Sequence, residues 1–340
     1  MTMEIFKRKQ FYIAVLITLA CAILGSYLAN FPGLSMVGSL VIALILGMLL
    51  QAVPAAKSAV KNDVGFISNK LLRLGIILLG FKLNLITLAH AGVKTILLAM
   101  IVVTGMITLT YWVARKLGVS SSLAILTASG TGICGAAAVM GISPQIQVGP
   151  GQAEKKREDE VLAIAIVAIL GTVFTLIEIL IKPLLHFTPT QFGVMAGGSL
   201  HEIAHAVAAG SSVGPVGLNE AIIMKLSRVL LLAPAALIIG IWYQKAHPVE
   251  SGARQKLPIP WFMGGFILAS IVGTFFSLPA GLITLLVKAA YIFLGMAMAA
   301  LGLSVNFRVI VERGHRPFLA ATMTSFVLML FTMTVAKFMF

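Results

Sequence analysis

Long runs of apolar residues, separated by short polar joins, recur along the whole chain. A transmembrane helix needs about 20 mostly apolar residues, and runs of roughly this length follow one another from end to end. Glycine and proline residues mark several of the joins. The pattern predicts an all-α, polytopic membrane protein with about nine to eleven membrane segments. The segments are 11–29, 34–52, 65–82, 93–114, 121–142, 160–181, 193–212, 219–243, 260–278, 282–304 and 317–339.

The composition leaves no room for a soluble domain. Apolar residues make up 59% of the chain and charged residues only 11%, and the mean hydropathy is +1.03. A soluble domain has about 25% charged residues, so residues 1–340 are predicted to form one integral membrane domain. The net charge of +14 would suggest nucleic-acid binding in a soluble protein. Here the basic residues stand mainly between apolar segments, where positive charge orients a membrane protein.

The distribution of basic residues predicts which end of the chain faces the cytoplasm. If every segment crosses the membrane, more Lys and Arg residues fall on the side of the N-terminus than on the other side. The positive-inside rule then places the N-terminus in the cytoplasm. The apolar run after residues 7–9 is long and has no small-residue cleavage site, so it is predicted to be a membrane helix and not a signal peptide. The most polar join, 154–160, is predicted to be a solvated loop.

Two regions match each other closely enough to suggest an internal repeat. Residues 79–84 read Leu-Gly-Phe-Lys-Leu-Asn and residues 301–306 read Leu-Gly-Leu-Ser-Val-Asn, and the match continues in register around 79–99 and 301–321. Segment three is predicted to run outward and segment ten inward, so the two copies would be inverted. Inverted repeats are typical of alternating-access transporters.

Clustered glycines interrupt two of the predicted segments. Segment five contains Gly130, Gly132 and Gly135, and segment seven contains Gly197 and Gly198. Glycine destabilises a helix by about 1 kcal/mol relative to alanine, so both segments are predicted to be interrupted or re-entrant. A half-helix that begins after such a break directs free N–H groups and the positive end of its dipole at a cavity, which favours an anion. The alternative is close helix packing through small residues.

Ionisable residues inside a membrane are costly and are therefore candidates for function. His201, Glu202 and His205 follow the glycine pair of segment seven, and they are predicted to bind or couple protons or sodium. Lys225 and Arg228 lie one turn apart in segment eight. They either snorkel to the membrane interface or attract a substrate anion.

One further acidic residue near a segment end receives a structural interpretation. Glu178 precedes Lys182 by four residues in segment six. Oppositely charged residues at this spacing are neighbours on a helix surface. Glu178 is therefore predicted to be a paired carboxylate at the surface.

The sequence 201–205 also satisfies the zincin pattern H-E-x-x-H. On a regular helix both imidazoles could bind zinc, with Glu202 as general base, so an intramembrane zinc metalloprotease is the alternative function. A catalytic zinc site usually needs a third protein ligand, and the chain has only 11 acidic residues. Asp63 and Asp159 fall in or next to joins, and His201 follows a glycine break. No metal and no catalytic residue is therefore predicted, and the chain is not expected to be an enzyme.

Four stretches of the chain form recognisable motifs, at residues 132–138, 197–202, 225–230 and 299–303. By these motifs the chain resembles the YeiH-type family of bacterial inner-membrane proteins, often called sulfate exporters. The family often has Asp where this chain has Glu202, and Gln where it has His205, which weakens the zinc alternative further. The resemblance covers most of the chain. It implies a transporter with a broken-helix core, similar to sodium-coupled bile-acid symporters and proton antiporters.

Together these features predict a secondary transporter that moves a small anion, such as sulfate or a related oxyanion, across the inner membrane, coupled to protons or sodium. Residues 130–135 are expected to give backbone donors, and Thr131 a hydroxyl. The predicted partners are the lipid bilayer, the anion and the coupling ion, with no nucleic acid and no cofactor, and a homo-oligomer is left open. The residues predicted to bind substrate or ion are Gly130, Thr131, Gly132, Cys134, Gly135, Ser199, His201, Glu202, His205, Lys225 and Arg228.

Overall fold

A computed structural model describes residues 9–31, 34, 39–51, 64–82, 85–86, 92–149, 151–247, 261–276, 278–304 and 313–340. All regular elements in these ranges are helices, as the sequence predicts. Short 3-10 turns, Gly80–Lys82 and Ser143–Gln145, extend two of them. The α-helices are α1 (Lys9–Leu28), α2 (Ser39–Leu50), α3 (Val64–Leu79), α4 (Gly92–Lys116), α5 (Ser121–Gly132), α6 (Ala136–Ile142), α7 (Ala153–Leu185), α8 (Pro189–Ser199), α9 (Ile203–Ser211), α10 (Pro215–Leu230), α11 (Leu232–Ala246), α12 (Trp261–Phe275), α13 (Ala280–Ser304) and α14 (His315–Met339).

Each predicted segment overlaps one or two of these helices. Among the described residues, six helical stretches are long and apolar enough to cross a membrane by themselves. This number is lower than the predicted nine to eleven segments because several segments consist of shorter helices. Segments five and seven in particular are each divided into two short helices, α5 with α6 and α8 with α9. The prediction that both are interrupted is confirmed.

The predicted loop at 154–160 is wrong, because these residues form the first turns of α7. Long charged side chains have good helix propensity, and an acidic residue, Glu154, stands in the first turn, where it complements the helix dipole. Arg313 supplies a positive charge to two acidic residues of these first turns. It forms ion pairs with Glu158 at 3.0 Å and with Asp159 at 2.6 Å, and Asp159 is buried.

The chain divides into two compact units. The first comprises Met1–Leu85 and Trp261–Phe307 and contains α1, α2, α3, α12 and α13. Its helices approach closely at small residues, the usual way in which membrane helices pack. A Cβ atom added to Gly47 would lie 2.2 Å from the Ala299 carbonyl oxygen, and one added to Gly302 would lie 2.2 Å from the Leu44 oxygen.

The second unit comprises Ile86–Pro260 and Arg308–Phe340, and it contains α4 to α11 and α14. Hydroxyl groups connect three of its helices. The Thr131 hydroxyl of α5 donates to Thr110 of α4 at 3.3 Å, and Thr110 donates to Thr324 of α14 at 2.9 Å. All the residues predicted to bind substrate or ion belong to this unit.

The inverted repeat stays a prediction. Part of the matching sequence, residues 83–84 and 305–306, lies outside the described residues. Helices α3 and α13 both belong to the first unit, and α4 and α14 both belong to the second.

Candidate functional site

The first interruption separates α5 from α6 at residues 133–135. Helix α5 begins at the N-cap Ser120, whose hydroxyl accepts from the Leu123 N–H, and it ends at Gly132. Gly135 then adopts φ = 72°, a conformation that L side chains rarely occupy, and its N–H donates to the Gly130 carbonyl at 3.0 Å. This left-handed residue turns the chain before α6 begins, so the break depends on glycine at this position.

The second interruption separates α8 from α9 at residues 200–202. Helix α8 begins with a capping box, in which Thr188 and Gln191 each accept a hydrogen bond from the other's backbone N–H. Leu200 and Glu202 have extended backbone angles, with ψ values of 150° and 158°. The last carbonyls of α8 therefore have no partners within a helix. The first N–H groups of α9 have none either.

Two buried cations on α10 join the carbonyl ends of both breaks. The Lys225 ammonium donates to Ile133 of the first break at 3.0 Å and to Leu200 of the second at 2.6 Å. The Arg228 guanidinium makes six hydrogen bonds to carbonyl oxygens near the same helix ends, and both side chains have 0% exposure. Its acceptors are Thr131 and Gly132 of α5, Gly197 and Gly198 of α8, and Leu200.

This arrangement excludes one of the two interpretations of Lys225 and Arg228 that the sequence left open. The side chains do not reach the membrane interface, because they are fully buried and bind the carbonyls that the last turns of α5 and α8 leave exposed. Attraction of an anion by their charges stays a prediction. A cation at a helix C-terminus also complements the helix dipole. Residues 130–135 were expected to supply backbone N–H donors. Of these, Thr131, Gly132 and Ile133 supply carbonyl acceptors to the two cations, because the chain reaches this point at the end of a helix.

Small residues place α10 beside α8. A Cβ atom on Gly193 would lie 2.4 Å from the Gly217 carbonyl oxygen, and one on Gly197 would lie 2.5 Å from the Ala221 oxygen. The two contacts advance together along both helices, so α8 and α10 run parallel. One further turn along α10 brings Lys225 to the end of α8. The close-packing alternative for these glycines therefore holds, and it also positions the cations.

Glu202 lies at the other ends of the half-helices, where α6 and α9 begin. It is the N-cap residue of α9, but its side chain makes no capping bond there. Its carboxyl group instead accepts from the backbone N–H of Ala136, the first residue of α6. Gly135 makes room for it, since a Cβ atom there would lie 2.6 Å from Glu202 Cγ. The Glu202 Oε1 atom is buried without a hydrogen-bond partner among the described residues.

The side chains of the two histidines of segment seven make different contacts. His201 lies in the break, its Nε2 is 2.9 Å from the Ser325 hydroxyl of α14, and its ring contacts Phe174 of α7 with centroids 6.3 Å apart. His205 packs against Gly171 of α7, where a Cβ atom would lie 2.4 Å from the imidazole carbon Cε1. Both side chains are fully buried.

This geometry does not favour the zinc protease. The residues of the H-E-x-x-H pattern do not form one helical face, since the first two precede α9. Within the described ranges, no group of three or more His, Cys, Asp or Glu side chains could hold a metal ion. The pattern arises from the residues around a helix break and has a different structural context from that of a zinc protease, in which a helix carries both ligands.

Glu178 was predicted to lie at the surface, and this prediction is wrong. Its side chain has 0% exposure, and its Oε1 lies 2.5 Å from the hydroxyl of Ser199 at the end of α8. Lys182 does not pair with it and donates to the Ser212 carbonyl at 2.9 Å. Spacing along a helix shows which residues are neighbours, but it does not show which face meets protein. The signal that could have identified Glu178 is its spacing of four residues from Phe174 and of seven from Gly171, which share its face of α7.

The remaining predicted residues have structural contacts at the first break. The Thr131 hydroxyl belongs to the chain of hydroxyl groups between α4, α5 and α14, while its carbonyl accepts from Arg228. A Cβ atom on Gly130 would lie 2.7 Å from Val167 Cγ2, and one on Gly132 would lie 3.0 Å from Ile107 Cγ1.

Cys134 is buried within the break, near the charges of Lys225, Arg228 and Glu202.

Comparison with known proteins identifies the family. A family profile described as "Conserved hypothetical protein 698" matches residues 13–321. A UPF0324 membrane protein of Lactobacillus johnsonii is 57% identical over 99% of both chains. Those of Bifidobacterium longum and Oceanobacillus iheyensis are 52% and 42% identical, over 97% and 95% of this chain and 95% and 94% of theirs.

Among solved structures, a sodium proton antiporter from Methanocaldococcus jannaschii matches with 12% identity and a TM-score of 0.26, covering 94% of this chain and 99% of that one. The sequence relatives, by contrast, match along nearly their whole length and are named membrane proteins. This agrees with the helices that are long and apolar enough to cross a bilayer. The chain belongs to the conserved hypothetical protein 698 family, the UPF0324 membrane proteins, which is also the YeiH-type family that its motifs resemble.

Proposed function

We propose that the chain is a secondary transporter that moves a small anion, such as sulfate or a related oxyanion, across the bacterial inner membrane, coupled to protons or sodium. The observation that carries this proposal is the meeting of two helix breaks at two buried cations. Backbone without helical partners is tolerated at membrane depth only where it is buried in protein or lines a cavity. Half-helices that meet in this way are the usual substrate and ion sites of secondary transporters.

The charges at this junction favour an anion. Lys225 and Arg228 contribute two positive charges when both are protonated, and Glu202 contributes one negative charge when it is ionised. Each half-helix end carries about half a charge, and the two C-terminal ends offset the two N-terminal ends. One positive charge remains. A singly charged anion, or a divalent anion together with a cation, would neutralise it, whereas a cationic substrate would add to it.

Glu202 is the proposed coupling residue on this junction. It is buried with one carboxyl oxygen unpartnered among the described residues, at the start of the half-helices. Lys225 is near enough to interact with it electrostatically. An ionised carboxylate at membrane depth needs a compensating charge, so binding or release of a proton or a sodium ion at Glu202 would change how strongly the junction attracts an anion.

The test is uptake of radiolabelled sulfate or thiosulfate by the full chain reconstituted in lipid vesicles. An imposed proton or sodium gradient is expected to drive accumulation above the level in protein-free vesicles. Glu154, an exposed residue in the first turn of α7, offers a control, because Glu154→Gln is expected to transport like the parent. If neither anion accumulates under either gradient while the protein remains monodisperse, the proposed substrate class is wrong.

A further inference from the structure

Glu178 occupies the side of α7 that faces the second break. Gly171, Phe174 and Glu178 are spaced by three and four residues, so they share one face of this helix. Gly171 contacts His205, Phe174 contacts His201, and Glu178 contacts Ser199, all three in the segment around the second break. The carboxyl group is therefore held against the end of α8, close to the junction, although it is not among the residues predicted to bind substrate or ion.

The hydroxyl of Ser199 makes two short contacts that only one protonation state of Glu178 can satisfy. Ser199 Oγ lies 2.6 Å from the Met195 carbonyl oxygen and 2.5 Å from Glu178 Oε1. A serine hydroxyl has one hydrogen to donate, and a carbonyl can only accept. If Glu178 were a carboxylate, both neighbours would be acceptors and would compete for this hydrogen. If Glu178 carries a proton on Oε1, it donates to Ser199, and Ser199 donates to Met195.

The surroundings of Glu178 provide no counter-charge for a carboxylate. Its second oxygen, Oε2, is buried without a hydrogen-bond partner among the described residues, and none of the ion pairs in those ranges includes Glu178. The titratable groups of the packed elements are otherwise engaged. Lys182 of α7 donates to the Ser212 carbonyl. The His201 ring is hydrogen-bonded to Ser325. The His205 ring packs against Gly171 and lies 3.4 Å from the Thr172 hydroxyl.

The other described helices that pack against α7 do not supply a charge either. Helices α5 and α6 include no Asp, Glu, Lys, Arg or His, and the charged residues of α14 stand in its first and last turns. The cations of α10 are Lys225 and Arg228, which bind backbone carbonyls. Glu202 at the break is a further carboxyl group, whose negative charge when ionised would oppose a second one. A charged group buried without a partner is very costly, so a neutral carboxyl group is favoured.

From this geometry we propose that Glu178 is a proton-binding site of the protein and, if the proposed transport function holds, the site of a second coupling group that acts beside Glu202. Protonated Glu178 leaves one positive charge at the junction, as counted above. Loss of that proton adds a negative charge and brings the formal sum to zero. Proton and anion binding therefore support each other, and the transporter carries them in the same direction.

The protonation state can be measured by infrared spectroscopy on the purified full chain. A protonated carboxyl group has a carbonyl stretch distinct from that of a carboxylate, and the band shifts in heavy water. At neutral pH the parent is expected to show an acid band component that disappears in Glu178→Gln and remains in Glu154→Gln. In Ser199→Ala the component should persist at a shifted frequency, because its hydrogen-bond partner is gone. An acid band unchanged in Glu178→Gln would overturn the proposal.

A second measurement tests the link to the anion. Sulfate added to the detergent-solubilised parent in weakly buffered solution at alkaline pH should cause proton uptake, detected with a pH-indicator dye, and this uptake should be smaller in Glu178→Gln. Sulfate affinity should fall with rising pH in the parent more steeply than in the variant. If both proteins show the same sulfate-linked proton uptake, Glu178 is not a coupling site. A parent that does not bind sulfate contradicts the proposed substrate, while the infrared result still decides on the proton.

Discussion

The two sides of the helix junction are built differently. On one side, where α5 and α8 end, eight hydrogen bonds from Lys225 and Arg228 bind the free carbonyls. On the other side, where α6 and α9 begin, the carboxyl group of Glu202 is the main polar side chain, and one of its oxygens has no partner in the described part of the chain. The first side holds the breaks together. The second leaves one carboxyl oxygen without a hydrogen-bond partner among the described residues, and it is the side that we propose binds the coupling ion.

The difference follows from the chemistry of the groups concerned. Arg and Lys side chains have only donors, so they can satisfy several carbonyls at once and lose little by being immobile. A carboxyl group can gain or lose a proton, and its environment decides which form is stable. We therefore expect substitutions on the carbonyl side to affect mainly folding, and substitutions on the N–H side to affect mainly transport.

The largest effect is expected from Arg228→Met. The substitution leaves several buried carbonyls unsatisfied, and each lost bond to a charged donor costs about 1.5–3 kcal/mol, so a loss of about 4 kcal/mol or more in unfolding free energy is expected. Thermal and denaturant unfolding in detergent measure it. Arg157→Met, at an exposed position of α7, is the control and should change stability little. If both variants unfold alike, the carbonyl side is not what holds the breaks together.

Lys225→Met should destabilise the protein less than Arg228→Met. Lys225 makes two hydrogen bonds where Arg228 makes six, and an expected loss of about 2–4 kcal/mol follows from the same bond energies. The unfolding experiment is repeated beside the exposed control Lys155→Met. A larger loss for Lys225→Met than for Arg228→Met would contradict this ranking.

Gly135→Ala tests the contact between the first break and Glu202. An alanine with φ = 72° is strained by about 1–3 kcal/mol, and its Cβ would also collide with Glu202. Gly214 separates the two causes, since it has φ = 92° and open space around the added Cβ. Gly135→Ala is expected to reduce both the melting temperature and anion uptake more than Gly214→Ala does. Equal effects would mean that the contact with Glu202 contributes nothing.

Glu202→Gln should have the smallest effect on stability and a large effect on transport. The substitution keeps the shape of the side chain and removes its charge, so we expect a change of less than about 1 kcal/mol in unfolding free energy. Uptake driven by a proton or sodium gradient in vesicles is expected to be abolished. A variant that transports at the parent's rate, with the same dependence on the driving ion, would show that Glu202 is a structural residue.

The sequence predicted the helices and their interruptions well because hydrophobic length and glycine clustering are local signals. It did not predict the roles of Lys225 and Arg228. Their acceptors lie about 30 and 95 positions away along the chain, at Gly198 and Thr131 among others, and no local pattern specifies such pairs. Nor does a glycine cluster show whether the chain presents carbonyls or N–H groups at a break, because this depends on where each half-helix ends.

Glu178 shows a second reason for the differences between prediction and structure. Its spacing from Lys182 and its spacing from Phe174 are both compatible with contact on a helix. The first would place the carboxyl group at the surface and the second inside the protein. The choice depends on which neighbouring helix covers that face, and here α8 covers it with Ser199. That information is not contained in the sequence of α7 itself.

The carbonyl acceptors of the junction also bear on how the chain enters the membrane during synthesis. A Lys or Arg at the centre of a helix opposes insertion by about 2.5–3.5 kcal/mol, and the span Pro215–Ala246 carries two such residues, Lys225 and Arg228. The groups that bind them lie on α5 and α8, which leave the ribosome earlier. When this span reaches the translocon, its acceptors have already been made, so the order of the helices along the chain is also an order of assembly in which each buried cation follows its partners.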